Sequence, residues 1–202
     1  SKLEKLERQV GDWKETIDYS HAGDKECMVV TNVSLFSAAR ENKLQEVLNW
    51  LGPPPIEKRR LNAVNPAMMN TTLLHTALLR DDSDTGLLSI LLQLGADVDP
   101  RDATGETALI GMCCTPESYS HARVLLEWGA ELSNSTMHTS KDEFIQEARS
   151  FGNNKLANLV DSEFGGRRCE IINLSKHPDL NGKTCVVEKY LPVKGRYKVI
   201  FE

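Results

Sequence analysis

The chain has no long apolar run. Its longest, Leu87 to Leu94, is interrupted by Ser89 and Gln93 and stays far short of the ~20 residues that a membrane-crossing helix requires. A transmembrane helix is therefore not expected. Also missing are a glycine-rich phosphate loop, a C-x-x-C pair, and any Ser/His/Asp set on a recognisable nucleophile turn. Nucleotide, structural-zinc and hydrolase chemistry thus have no motif to rest on, and the expectation is a protein that is not an enzyme and carries no cofactor. Cysteine is sparse and odd in number: Cys27, Cys113, Cys114, Cys169 and Cys185, two of them adjacent. No disulfide framework fits that set, so a reducing intracellular compartment is expected. The cytoplasm is the first choice; because the chain opens on Ser1 rather than methionine, an organelle reached after removal of a leader is the second.

With 40% hydrophobic and 26% charged residues, the 202-residue chain can bury a core as one elongated domain, or as one domain with a small module. Charge separates the two. Residues 167–202 carry 8 Lys and Arg against 4 Asp and Glu, leaving 16 against 25 for residues 1–166. By charge alone the basic tail is a separate unit.

Self-comparison gives the strongest pattern. "TTLLHTALLRDDSDTGLLSILLQLGADVDP" and "GETALIGMCCTPESYSHARVLLEWGAELSN" run in parallel, with Thr72 matching Thr107, Leu74 matching Leu109, and Gly95 matching Gly129. A period of about 35 residues signals stacked units, each too small to bury its own apolar face. Each unit reads as a short helix, a turn, a second helix and an extended link. Leu88, Leu91 and Leu92 line one second helix and Val124, Leu125 and Leu126 the other, with a glycine after each as a left-handed stop.

These residues resemble the ankyrin repeat, D-x-x-G-x-T-P-L-H-x-A-A followed by a helix ending L-L-x-x-G-A-[DN]-V-[DN]. Asp102, Gly105, Thr107, Leu109, Leu125, Leu126, Gly129 and Ala130 fit in one repeat. Thr72, Leu74, His75, Ala77, Leu91, Leu92, Gly95, Ala96, Asp97, Val98 and Asp99 fit in the preceding one. "SLFSAARENKLQEVLNWL", residues 34–51, is similar to a first repeat, and residues 140–160 to a closing one, where Ser140 and Glu143 form a capping box. The motif's proline is Leu73 and then Ala108, both good helix formers, so both helices should persist. The link "GPPPIEKRRLNAVNPAMMN" makes the first hairpin longer than usual, with Asn70 in the place of its glycine and Met68 and Met69 near its tip.

The acids Asp97, Asp99, Asp102 and Glu106 suggest a calcium loop, but the pattern fails. Counting from Asp97, the fifth place is Arg101, the sixth Asp102 and the twelfth Ala108, where a calcium loop wants oxygen ligands and a glycine. Turn chemistry explains them better: Asp102 caps a tight turn, Gly105 takes its left-handed position, and no metal is expected. The resemblance makes His75 structural, buried near Thr72. Cys113, Cys114, His121 and His138 are spaced too irregularly for zinc.

Both ends differ from the repeats. In residues 1–17, Leu3, Leu6, Val10, Trp13 and Ile17 follow heptad spacing, so residues 1–33 are expected to hold an amphipathic helix and a linker. That helix either caps the first repeat or docks in a partner's groove. The tail, "RRCEIINLSKHPDLNGKTCVVEKYLPVKGRYKVIFE", reads as three strands separated by Asn181-Gly182 and Lys194-Gly195, after a flexible joint at Gly165-Gly166. Leu180, Asn181, Gly182, Val187, Gly195, Arg196, Tyr197 and Val199 make it similar to a small SH3-like (Src-homology-3-like) barrel module that accompanies ankyrin repeats in many proteins of protists and algae. Cys185 stands where that pattern has glycine. A complete barrel needs one or two more strands, so either they are absent or a partner supplies the edge.

The expected architecture is mainly α: an ankyrin-repeat solenoid of about four repeats over residues 34–160, then a small antiparallel β-barrel over residues 161–202. The resemblance implies a scaffold or adaptor that holds another protein. Its groove would offer Arg40, Glu41, Leu79, Arg80, Cys114 and Thr115, and its hairpin tips Met68, Met69, Arg101, Thr104 and Glu106. A second reading makes the protein a permanent accessory subunit of a large, perhaps organellar, complex. A third has the tail bind RNA through Arg167, Arg168, Lys183, Lys189, Lys194, Arg196 and Lys198.

Overall fold

The computed structural model describes residues 16–17, 29–31, 33–79, 84–112, 114–115, 118–132 and 140–201. The molecule is mainly helical with two small sheets. Helices come in pairs: α1 (Val33–Arg40) with α2 (Leu44–Leu51), then, after the one-turn α3 (Lys58–Leu61), α4 (Leu73–Ala77) with α5 (Gly86–Gln93). Two more pairs follow, α6 (Ala108–Gly111) with α7 (Tyr119–Glu127) and α8 (Lys141–Ser150) with α9 (Asn154–Asp161). One continuous apolar core runs through all of them, with Phe36, Leu74, Leu91, Leu109, Leu125, Phe144 and Leu156 among its fully buried members. No single pair could enclose these side chains; each pair buries its face against the next. No helix among the described residues is long and apolar enough to cross a membrane.

The helix ends follow a common chemistry. After α5, Gly95 lies at φ +98°, its N–H donating to the Leu92 carbonyl while Ala96 N–H reaches back to Leu91. After α7, Gly129 at φ +93° and Ala130 make the same two bonds, to Leu126 and Leu125. The tight turns inside the outer pairs reuse this double bond at Asn42 (φ +58°) and Gly152 (φ +81°). In all four places a left-handed residue satisfies carbonyls that a helix end otherwise leaves open. At the other ends, Thr72 and Thr107 are extended N-caps, and Ser140 with Glu143 makes the expected capping box. Leu73 and Ala108 do start helices in place of proline, though α6 stops within one turn at Gly111, a weak helix former.

The links between pairs are hairpins. β3 (Val64–Asn65) pairs antiparallel with β4 (Thr71–Thr72), and the next hairpin closes with an Arg101–Thr107 bridge. Both loops are equally long, residues 66–70 inside the Asn65–Thr71 pair and residues 102–106 inside the Arg101–Thr107 bridge, which corrects the longer hairpin expected from the link sequence; the extra link residues precede β3 and include α3. On the outer side of β3 stand two short strands from the N-terminal region: β2 (Val29–Val30) runs parallel to β3, and β1 (Thr16–Ile17) pairs antiparallel with β2. This corrects the heptad reading at its last position. Ile17 belongs to a strand, because Thr16-Ile17 and Val29-Val30 are β-branched segments that can extend the hairpin ladder. Leu3, Leu6, Val10 and Trp13 lie outside the described residues.

In the tail, β5 (Arg168–Glu170), β6 (Thr184–Leu191) and β7 (Arg196–Phe201) form an antiparallel sheet in chain order. Gly182 and Gly195 take left-handed turns at the two sites marked by the sequence. Cys185 does not disturb the strand: it is buried opposite Cys169 and Phe201, and the bulge falls between Val187 and Lys189. The joint, however, is not flexible. Gly165 and Gly166 are both buried. A Cβ on Gly165 would lie 1.6 Å from the Leu159 carbonyl oxygen, and one on Gly166 2.9 Å from Leu126. Glycine is needed here for close approach, and the sheet sits directly on α7 and α9.

Candidate interaction surface

The acid-rich stretch is a seam between units. Asp97 accepts from Asn62 Nδ2 at 2.7 Å and from Lys58 at 2.7 Å, while its own N–H donates to Asn62 Oδ1. Asp99 reaches the opposite way and takes the Glu131 N–H with both carboxylate oxygens at 3.1 Å. Burial pushes the Asp99 carboxyl above the usual carboxylate range. Asp102 stays within its own turn, accepting from the N–H groups of Thr104 and Glu106 and from the Thr104 hydroxyl. Burial opposes its charge, but those hydrogen bonds outweigh burial and hold its carboxyl below the usual range. The three carboxylates thus face three different partners. Among the described residues no trio of His, Cys, Asp or Glu is grouped as a metal ion would need.

His75 sits at the same seam. Its Nδ1 accepts the Thr72 N–H at 3.2 Å and lies 3.0 Å from the Thr72 hydroxyl, closing a capping box at the start of α4. Burial holds its pKa below the ordinary histidine value, partly offset by the Asp102 charge and the Glu106 carbonyl of the next unit. Nε2 is buried and makes no hydrogen bond among the described residues.

Successive hairpins are stacked. Ala103 N–H donates to the Met69 carbonyl at 2.7 Å. Met69 is left-handed at φ +56° and 56% exposed, whereas Met68 packs against the core. Arg101 is exposed but bonds its own turn at the Gly105 carbonyl, 2.7 Å away. Thr104 is exposed and Glu106 half-buried, so the tips present Met69, Arg101, Ala103 and Thr104. On the helix-turn side, Arg40, Glu41, Leu79, Cys114 and Thr115 are exposed, joined by Phe151 at 50%. Arg80, Cys113 and His138 lie outside the described residues. Buried Asn153, which the sequence reading passed over, ties this side together by donating to the Met112 and Thr115 carbonyls. Its only signal is a place after Gly152, which marks a cap and says nothing of its reach into the neighbouring unit.

The tail's cations are not equivalent. Arg167 is half-buried, donates to the Leu126 carbonyl at 3.3 Å and lies beside Asp99; burial lowers its pKa. This removes it from the surface set. Arg168 lies over the Trp128 ring at 5.9 Å, and Lys198 pairs with Glu188 at 2.6 Å. Lys183, Lys189, Lys194 and Arg196 are exposed. A cleft of about 460 Å³ where tail meets helices is lined by Lys141 and Arg167 against Glu131 and Glu163. Both its cations already bond backbone carbonyls, Ser162 for Lys141 and Leu126 for Arg167, so it has no net demand for an anion. Compared with known protein families and with curated proteins, the chain matches none.

Proposed function

We propose that this chain is an ankyrin-repeat scaffold that binds a partner protein through its hairpin tips and the adjoining face of the first helices, with no catalytic role. The observation that carries this reading is the recurrence of one unit: left-handed stops at Gly95 and Gly129, threonine caps at Thr72 and Thr107, and hairpins joined by the Ala103–Met69 bond. Stacking leaves the tips exposed on a backbone already held by neighbours, so little entropy is lost on binding. Asp97 and Asp99, carboxylates that a metal site would use, are engaged in holding units together, and His75 at the seam serves a cap. The tail's SH3-like resemblance adds a β module fixed to the last helices as a second surface.

A photo-crosslinking residue placed at Met69 or Thr104 tests this in the native source. The reading expects one discrete adduct from either tip and none from Gln93, exposed on the second helix α5. Equal adducts from all three positions would refute it.

A further inference from the structure

The outer edge of β7 goes beyond the repeat surface. β7 pairs with β6 alone among the described strands, which leaves one row of its backbone N–H and C=O groups without a strand partner. Such an edge is ordinarily blunted by proline, by a bulge or by inward charge. Arg196–Phe201 contains no proline, the bulge lies in β6, and the charge of Lys198 is held by Glu188. Cross-strand pairing sorts the side chains of this hairpin onto two faces. Lys189, Arg196, Lys198 and Ile200 share one. Tyr190, Tyr197, Val199 and Phe201 share the other.

That second face is aromatic: Tyr190 and Tyr197 have ring centroids 4.9 Å apart, Phe164 meets Tyr197 edge-on at 5.6 Å, and Phe201 is 46% exposed. On the first face, neither Lys189 nor Arg196 pairs with a carboxylate of another described residue. We propose that β7 accepts an extended segment of a partner protein as a fourth strand, and that this segment alternates acidic with apolar side chains. In an added strand, one row of side chains lies beside Arg196, with Lys189 behind it on β6, and the other beside Tyr197, Val199 and Phe201. Acidic residues complement the first row and apolar residues the second. A second copy of this chain fits poorly, because it would bring like charges together. Single-stranded RNA fits poorly too, because stacking requires aromatics beside the phosphate-binding cations, and here they lie on opposite faces.

The test uses the full chain and a peptide alternating glutamate with valine, a lysine-valine counterpart, a peptide of the same glutamate-valine composition in two blocks, and oligouridine. Binding is read by fluorescence anisotropy and by amide hydrogen exchange over residues 196–201. The alternating acidic peptide should bind, slow exchange at alternate β7 amides, and lose about tenfold in affinity with Lys189→Glu plus Arg196→Glu, a variant that should favour the lysine peptide. The proposal fails if β7 exchange is unchanged at saturation, if the blocked or lysine peptide binds the native chain as well, or if oligouridine alone protects these amides. Binding at the hairpin tips is not involved, so either site can fail without the other.

Discussion

The N–H of Ala103 donates to the carbonyl of Met69 across 2.7 Å, so the tip of one hairpin is clamped by the next. That bond explains an otherwise unfavourable backbone. Met69 sits at φ +56°, a region in which an L side chain costs about 1–2 kcal/mol.

Met69→Gly should therefore raise stability by about 1 kcal/mol, because glycine enters this region freely and the methionine side chain is mostly in solvent. Urea unfolding measures this directly. If the side chain is also a partner contact, the same variant should bind more weakly while unfolding later. Lower stability would mean that the exposed side chain packs more than its surface suggests.

Gly165 gives the opposite sign. A Cβ there would stand 1.6 Å from the Leu159 carbonyl oxygen. Gly165→Ala should cost about 3 kcal/mol through forced displacement of the sheet from α9. Gly129→Ala, with open space around the added methyl, should cost about 1–2 kcal/mol from its left-handed φ alone. A flexible joint would tolerate alanine at Gly165 with no change in the denaturation midpoint, and that result would reinstate it.

These two glycines show where sequence reading succeeds and where it stops. Gly95 and Gly129 were legible because each ends an apolar helix and the pattern recurs; local chemistry determined the local structure. Gly165-Gly166 carries the same letters for flexibility and for close approach, and only the distant Leu159 and Leu126 decide between them. Ile17 was misassigned for a related reason: spacing favoured a helix, while its partner Val29 and the parallel ladder from Val30 to Val64 are non-local. The seam was half legible. Asp102 acts within its own turn, as its spacing to Gly105 implied, but the bonds from Asp97 to Asn62 and from Asp99 to Glu131 needed the stack itself. Of the tail cations, Arg167 looked no different from Arg168 until packing buried it.

His75 should make stability depend on pH. Burial lowers its folded pKa below the value of about 6.5 expected in the unfolded chain. The unfolded state then binds more protons between those two values, so stability rises with pH across that window. The contribution is complete above about pH 6.5 and is lost as pH falls toward the folded value. A thermal midpoint series for the native chain minus that for His75→Gln should show this fall on the acid side. A flat difference curve would mean that the imidazole is solvated.

Asn153 and Asn154 are adjacent, chemically identical and expected to behave oppositely. Asn153 is 2% exposed, donates to the Met112 and Thr115 carbonyls at 3.2 and 3.1 Å, and caps α9 by accepting the Leu156 N–H. Alanine there removes the cap and strands two carbonyls of the neighbouring unit, a loss of about 2–3 kcal/mol. Asn154 is exposed, and its side chain makes a single long bond, at 3.4 Å, to the Gly152 carbonyl. Its replacement by alanine should stay within about 0.5 kcal/mol. Urea unfolding of the two variants side by side separates the cases. If they lost equal stability, Asn153 would be acting only as a helix cap, and the last helix pair would be held to its neighbour by apolar contact alone.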